Sequence, residues 1–214
     1  MKSKIKVAVI GGMGKAGKYL VAQLIKQGYS CKLLLRNPET FYIKNPLLEI
    51  IKGDVQNLDD IHTLIDDCDA VISALGGGRQ LTSNSIFSQS TTNIIQVMTE
   101  LNLKRYIVLT GLNVDTEWDK KGVKTKFATD WMYTNYPLTT ANKQLEYELL
   151  KASNLDWTLV RLPMIEQTEE RFEVVIGLED CLGDKISSTN LADFLISQIA
   201  DSQYIKTSPF VSNL

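Results

Sequence analysis

The chain has 214 residues, a formal net charge of -2 and a sequence pI of about 5.5, a size that suits one α/β domain. The acidic balance is atypical of nucleic-acid-binding proteins, and the one dense basic stretch, residues 120–126, is interpreted as a solvated loop. The sequence lacks an apolar segment of the ~20 residues that a membrane span needs and a signal-peptide pattern. We therefore expect a cytoplasmic protein with neither a nucleic-acid nor a membrane partner.

The first half of the chain alternates short apolar runs with segments of helical periodicity. Strands are predicted at 5–10, 31–35, 48–51, 69–75 and 105–109, and helices at 14–27, from the Asn57 cap to Ile65, and at 84–102. Strand, helix and strand in succession predict a parallel sheet with right-handed crossovers. The fold class is therefore predicted as α/β, a Rossmann-like doubly wound parallel sheet with a small C-terminal cap.

The second half of the chain is less regular. A helix is predicted at 140–153 with Ala141, Leu145, Leu149 and Ala152 on its apolar face, followed by a strand at 157–162. A strand at 172–176 and a last helix at 189–201 complete the order. Residues 1–214 are interpreted as a single domain in which 112–138 and 164–185 form the cap on the substrate side.

The strongest motif is the glycine-rich segment Gly11-Gly12-Met13-Gly14-Lys15-Ala16-Gly17, which follows the first strand and opens the first helix. Glycines at these positions allow a tight turn, close approach of the backbone to a pyrophosphate and packing of the helix on the strand. The helix N-terminus then offers free amides to the phosphates. Gly11, Gly14, Lys15, Ala16 and Gly17 are predicted to bind a dinucleotide.

The end of the second strand favours NADP(H) over NAD(H). NAD-binding proteins place an acidic residue there, about 20 residues after the glycines, to bind the ribose 2′-hydroxyl. Here Arg36 stands at that point and the first acid is Glu39. A guanidinium suits a 2′-phosphate, and Lys15 would add a second cation.

Further contacts are predicted from the ends of the third and fourth strands, because ligands of such sheets lie outside the carboxyl ends of the strands. Asp54 and Val55 would flank the adenine. Leu75, Gly76 and Gly77 would pass beside the ribose and the pyrophosphate. No metal site is predicted, since Cys31, Cys68 and Cys181 are widely spaced and the single histidine, His62, has no cluster of partners.

With these motifs in place, the chain resembles the atypical short-chain dehydrogenases/reductases, in particular the NAD(P)H-binding proteins of the biliverdin reductase B and NmrA-like type. The resemblance covers almost the whole chain and rests on residues 11–17, 35–37, 53–55, 69–76, 155–163 and 190–195. It implies a catalytic Tyr-x-x-x-Lys pair and a Ser or Thr that ends the fifth strand. Lys143 and Thr110 match these positions, but Thr139 replaces the tyrosine, and a threonine hydroxyl is too weak an acid for that role.

Three functions stay open. In the first, NADPH reduces a flavin, quinone or tetrapyrrole-like acceptor, or a carbonyl, with Thr110 orienting the acceptor and Lys143 holding the nicotinamide ribose. Conjugated acceptors of this kind can take their proton from solvent. In the second, Tyr133 or Tyr136 replaces the missing phenol, although packing of the cap by these aromatics is favoured. In the third, the chain is a non-catalytic NADP(H) sensor that signals to a protein partner.

Overall fold

One ten-stranded sheet organises residues 5–76 and 85–214, the part of the chain that the computed structural model describes. The strands are β1 (Lys6–Ile10), β2 (Ser30–Leu35), β3 (Leu48–Lys52), β4 (Ala70–Ser73), β5 (Arg105–Gly111), β6 (Asp156–Leu162), β7 (Met164–Glu166), β8 (Val174–Gly177), β9 (Lys185–Ser187) and β10 (Phe210–Asn213). The helices are α1 (Gly17–Lys26), α2 (Leu58–Ile65), α3 (Ile86–Glu100), α4 (Val123–Asn135), α5 (Pro137–Ala152) and α6 (Ser188–Ser197). Among these described helices none is both long and apolar enough to cross a membrane.

The first six strands are parallel and follow the order β3-β2-β1-β4-β5-β6, which is typical of dinucleotide-binding folds. From β1 the chain adds strands toward one edge of the sheet, and from β4 it adds them toward the other. At this switch point between β1 and β4, a crevice opens at the carboxyl ends of the strands. The predicted α/β fold class is confirmed.

Helices cover the sheet on both faces. On one face α1 and α6 bury Leu20, Leu24 and Leu195 against it. On the other, α2, α3 and α5 contribute a second apolar layer that includes Ile61 and Ile94. This arrangement agrees with the continuously apolar strands, because both faces of a parallel sheet are buried.

The apolar face predicted for α5 is wrong. Ala141 and Ala152 are exposed and Leu145 is 49% exposed, whereas the helix buries a largely polar set against α3 and the sheet. That set comprises Thr140, Asn142, Lys143, Glu146, Tyr147 and Leu150. The helix turns these groups inward because each finds a hydrogen-bonding or packing partner there, as Lys143 does in Glu146.

The irregular second half contains more structure than its sequence pattern indicates. Helix α4 lies within 112–138, and the strand expected at 172–176 begins later, at Val174. Three further strands, β7, β9 and β10, were not predicted. They are three or four residues long, too short for a periodic signal, and they pair at the sheet edge through β10, which lies parallel to β6 and antiparallel to β8 and β9.

A buried arginine joins this edge to the rest of the sheet. Arg161 on β6 is fully buried and stacks on the Phe210 ring, with its guanidinium carbon 3.5 Å from the ring centroid. Its guanidinium donates to Asp119 Oδ1 at 2.6 Å and to the carbonyl of Val114 at 3.2 Å. The loop that follows β5 is therefore fixed in position beside the carboxyl ends of the strands.

Candidate functional site

A cleft of about 1080 Å³ lies at the carboxyl ends of the parallel strands. Its volume reaches the upper end of the range usual for small-molecule sites. The cleft brings together most of the side chains and loops that the sequence marked for cofactor binding: Gly11, Gly14, Lys15, Ala16, Arg36, Asp54, Val55, Leu75, Gly76, Thr110 and Lys143.

The glycine loop has the backbone geometry that its sequence suggests. Gly11 has a φ of 74°, a conformation that side chains disfavour, and the amide of Gly14 donates to the Gly11 carbonyl at 3.0 Å. A Cβ at Gly17 would collide with the backbone of Gly11 and Gly12. Gly17 thus lets α1 pack beneath the loop and does not itself line the cleft, so its predicted contact with the cofactor is replaced by a packing role.

The rim of this loop is suited to an anion. Within the described residues, the backbone amides of Met13, Lys15 and Ala16 donate to no protein acceptor, and α1 starts immediately afterwards. Free amides and the positive end of a helix dipole favour phosphate groups. The ammonium groups of Lys15 and Lys18 border the same part of the cleft. The loop therefore fits the pyrophosphate of a dinucleotide.

The loop after β2 carries Arg36, a cation without an ion-pair partner among the described residues. Arg36 is exposed, lines the cleft beside Asn37 and Thr40, and forms no ion pair with any described residue. Glu39 does not line the cleft. Asp54 is the one carboxylate among the described lining residues, and its Oδ1 accepts from the amide of Gln56 within its own loop. Arg36 is thus available to bind a negatively charged group of a ligand.

Thr110 and Lys143 meet at the other end of the cleft. Thr110 is the penultimate residue of β5 and is 5% exposed, and its Oγ1 has no hydrogen-bond partner in the described part of the chain. Buried hydroxyls are nearly always paired, so an unpaired one facing a cleft fits a missing ligand. Lys143 Nζ donates to the carbonyl of Leu109 at 3.1 Å and lies 3.9 Å from the centroid of the Phe87 ring.

Lys143 has a buried anionic partner that the sequence analysis missed. Its Nζ lies 2.8 Å from Glu146 Oε2, and Glu146 Oε1 accepts from Thr91 Oγ1 at 3.1 Å. Burial raises the pKa of Glu146, while the Lys143 ammonium and the Thr91 hydroxyl oppose that rise. The spacing of three residues between Lys143 and Glu146 was a usable signal, because such residues share one helix face.

Tyr133 and Tyr136 lie outside the cleft lining. Tyr133 instead borders a separate shallow pocket, where its hydroxyl lies 3.5 Å from Asp115 Oδ2. Burial and the neighbouring Asp115 carboxylate raise the pKa of Tyr133, which makes it a weaker acid. The suggestion that Tyr133 supplies a catalytic phenol is therefore not supported by its position. Gly77 lies outside the described residues.

Sequence comparison finds relatives of this chain among known proteins. The chain is 26% identical over 195 residues to an uncharacterised chloroplastic protein of Arabidopsis thaliana, a match that covers 87% of this chain and 68% of that protein. The chain spans only 35% of the length of the tobacco isoflavone reductase homologue that it also matches.

Crystal structures that share the fold include the following two. One is a short-chain dehydrogenase/reductase from Veillonella parvula in complex with NADP, with a TM-score of 0.81 and 18% identity over 99% of this chain and 95% of that one. The other is a candidate NADH-flavin reductase from Streptococcus pneumoniae, with a TM-score of 0.77 and 22% identity over 98% of this chain and all of that one (100%).

The family model described as NAD(P)H-binding matches residues 11–202, which is most of the chain. The glycine loop, the free amides and the cations beside them lie within this match. The chain therefore belongs to the NAD(P)H-binding family.

Proposed function

We propose that the chain is an NADPH-dependent reductase that transfers hydride to a small conjugated acceptor, such as a flavin, a quinone or a tetrapyrrole-like compound, or to a carbonyl. The observation that carries this proposal is the buried hydroxyl of Thr110, which has no partner among the described residues and lies in the same cleft as Lys143 and the glycine loop. The loop would hold the phosphates at one end. At the other end of the cleft, Thr110 and Lys143 would then face the acceptor, next to the nicotinamide of the cofactor.

The walls of the cleft near Thr110 and Lys143 favour a planar, apolar acceptor. Phe87, Met132, Leu162 and Ile165 line it, and Lys143 is its one charged group among the described residues. An apolar wall with few polar groups is typical of sites that orient a conjugated ring. It would also exclude water from the path of the hydride.

The chain's own residues account for binding and orientation better than for proton donation. When bound, NADPH would supply the hydride. Thr110 can donate a hydrogen bond to an acceptor oxygen, and Lys143 can bind a ribose hydroxyl with the donor position that Leu109 and Glu146 leave free. Thr139 lines the cleft where the family places tyrosine, but its hydroxyl is a poor acid. This favours conjugated acceptors, which can be protonated by solvent, over isolated carbonyls.

Arg36 supports NADPH over NADH as the preferred cofactor. Its guanidinium has no carboxylate partner among the described residues, and Lys15 adds charge to the same rim. A planar cation with several donors suits a 2′-phosphate. The description of the Streptococcus pneumoniae protein as a candidate NADH-flavin reductase supports a flavin acceptor. The cytoplasmic location stays a prediction.

The test is oxidation of NADPH, followed by absorbance, in the presence of a panel of flavins, quinones and dicarbonyls. We expect turnover with one conjugated class, and its loss in Thr110→Ala while NADPH binding is retained. Lys143→Ala should lose turnover and also weaken NADPH binding, because it removes the proposed ribose contact. Tight NADPH binding with no oxidation by any member of the panel would contradict the proposal.

A second candidate function is a non-catalytic NADP(H) sensor with a protein partner. Helix α4 exposes an apolar row at four-residue spacing, with Val123 88%, Phe127 72% and Trp131 47% exposed. Its neighbour Met132 lines the cleft, so cofactor state could reach this surface. If the sensor function holds, hydrogen exchange in residues 123–135 will differ between the NADP⁺ and NADPH complexes and the acceptor panel will give no turnover.

A further inference from the structure

Asn113, which lies three residues beyond Thr110, is a buried polar side chain whose amide has no partner within residues 5–76 and 85–214. It is 4% exposed and lines the cleft, and its amide makes no hydrogen bond with any described residue. The other buried asparagines that the structure describes all have hydrogen-bonded amides: Asn93, Asn142, Asn190 and Asn213. Because Asn113 lines the cleft and its amide makes no hydrogen bond with a described residue, the amide is available to a ligand group there.

The backbone around Asn113 is held in place on both sides. The amide of Leu112 donates to the Leu162 carbonyl at 2.9 Å, and the Val114 carbonyl accepts from Arg161 at 3.2 Å. The next residue, Asp115, exchanges two hydrogen bonds with the Gln144 side chain, both of 2.9 Å. A side chain on such a fixed segment is preorganised for recognition.

We propose that Asn113 determines acceptor specificity by hydrogen-bonding the polar edge of a planar acceptor that carries adjacent N–H and C=O groups, as in a cyclic imide or lactam. A carboxamide presents a carbonyl acceptor and an N–H donor side by side, so it can pair with both groups at once. Thr110 Oγ1 is a second unpaired group, and Phe87 and Met132 give the same part of the cleft apolar walls. This inference rests on the proposed reductase function and narrows its acceptor class.

The discriminating pair of acceptors is riboflavin, which has an N–H between two ring carbonyls, and its N3-methyl derivative, which lacks that donor. Menadione, a quinone with carbonyls only, is the third acceptor. A site built to bind an N–H rejects an analogue that leaves its polar group unpaired. We expect kcat/KM for riboflavin to exceed that for N3-methylriboflavin by about tenfold or more. Equal values in the unmodified protein would overturn the inference without any variant.

The variant Asn113→Leu keeps the size of the side chain and removes its polar groups. We expect it to lose about tenfold in kcat/KM for riboflavin, to make the two flavins equivalent, and to leave menadione unchanged. Asn135→Leu on α4, outside the cleft lining, is the control and should behave as the unmodified protein. An equal loss for all three acceptors would mean a merely structural role and would overturn the inference.

A measurement of flavin binding distinguishes failure of this inference from failure of the proposed reductase function. Quenching of flavin fluorescence by the NADP⁺-saturated protein gives dissociation constants for both flavins whether or not turnover occurs. If no acceptor oxidises NADPH, the reductase function fails. A riboflavin preference that Asn113→Leu removes would still support the role of Asn113, and equal binding of the two flavins would refute it.

Discussion

Replacement of Arg36 is the sharpest test of cofactor choice. Arg36 follows the last residue of β2, is exposed at the cleft and forms no ion pair with a described residue. In Arg36→Ala, the 2′-phosphate of NADPH would lose its guanidinium partner, while NADH has no group at that position. The two cofactors should therefore respond differently to one substitution.

The size of the effect follows from the exposure of Arg36. A hydrogen bond to a charged group contributes about 1.5–3 kcal/mol, and solvent screening at an exposed site favours the lower part of that range. About 1.5–2 kcal/mol corresponds to a roughly tenfold to thirtyfold increase in the Kd of NADPH. Lys15 remains in the variant and prevents a larger loss. The Kd of NADH should stay within about twofold.

The assay is isothermal titration calorimetry with both cofactors. Arg36→Asp extends the test, because an acid at this position can bind a ribose 2′-hydroxyl and repels a 2′-phosphate, so NADH should become the better ligand. Arg171→Ala is a matched control, since Arg171 is half exposed and pairs with Asp193 away from the cleft lining. Equal losses for NADPH and NADH, or none for either, would refute the assignment of Arg36.

Three further substitutions test other parts of the site. In Gly14→Ala, the new Cβ would meet the Gly11 carbonyl at 3.2 Å and otherwise face the cleft, so calorimetry should show at least about tenfold weaker NADPH binding while the melting temperature hardly changes. In Thr110→Val, loss of an unpaired buried hydroxyl should leave the melting temperature unchanged or higher, while acceptor kcat/KM falls by about tenfold to a hundredfold. Lys143→Met leaves the Glu146 carboxylate buried without its cation and should raise the Glu146 pKa further. A raised carboxyl pKa gives stability that is present below the unfolded value of 4.5 and lost as pH rises through the folded value. Chemical denaturation should therefore show the variant losing stability relative to the unmodified protein from pH 4.5 upward. The control Lys104→Met, at an exposed lysine that forms no ion pair with a described residue, should run parallel to the unmodified protein.

The sequence was most informative about features that are determined by residues close together in the chain. The glycine turn, the apolar strands and the Asn57 cap each depend on residues a few positions apart, and the structure places all of them as expected, with Asn57 Oδ1 accepting from the amides of Asp59 and Asp60. Arg36 and Thr110 were predicted to lie at the cleft because Arg36 directly follows β2 and Thr110 lies next to the end of β5, where ligands of such sheets bind, and both line the cleft.

The missed features depend on partners that are distant in sequence. Glu146 matters because Thr91, 55 residues away, completes its hydrogen bonds. Asn113 stands out only once the structure shows that no described residue makes a hydrogen bond with its amide. The strands β7, β9 and β10 are stabilised by pairing with one another and with β6 and β8, and no periodicity within three or four residues could reveal that.

The error on α5 has a physical cause that also locates the chemistry. Periodicity assigns apolar residues to the buried face, and this rule assumes that the interior of the protein is apolar. Behind α5 the interior contains the Lys143–Glu146 pair and the Asn142 amide, which accepts from the amide of Phe87 at 3.0 Å. Burying such groups is costly unless each is paired, and a fold selected for stability alone would place leucines there. Local patterns fail where functional groups override packing, so the inverted polarity of α5 is itself evidence that this side of the cleft is built for binding or catalysis.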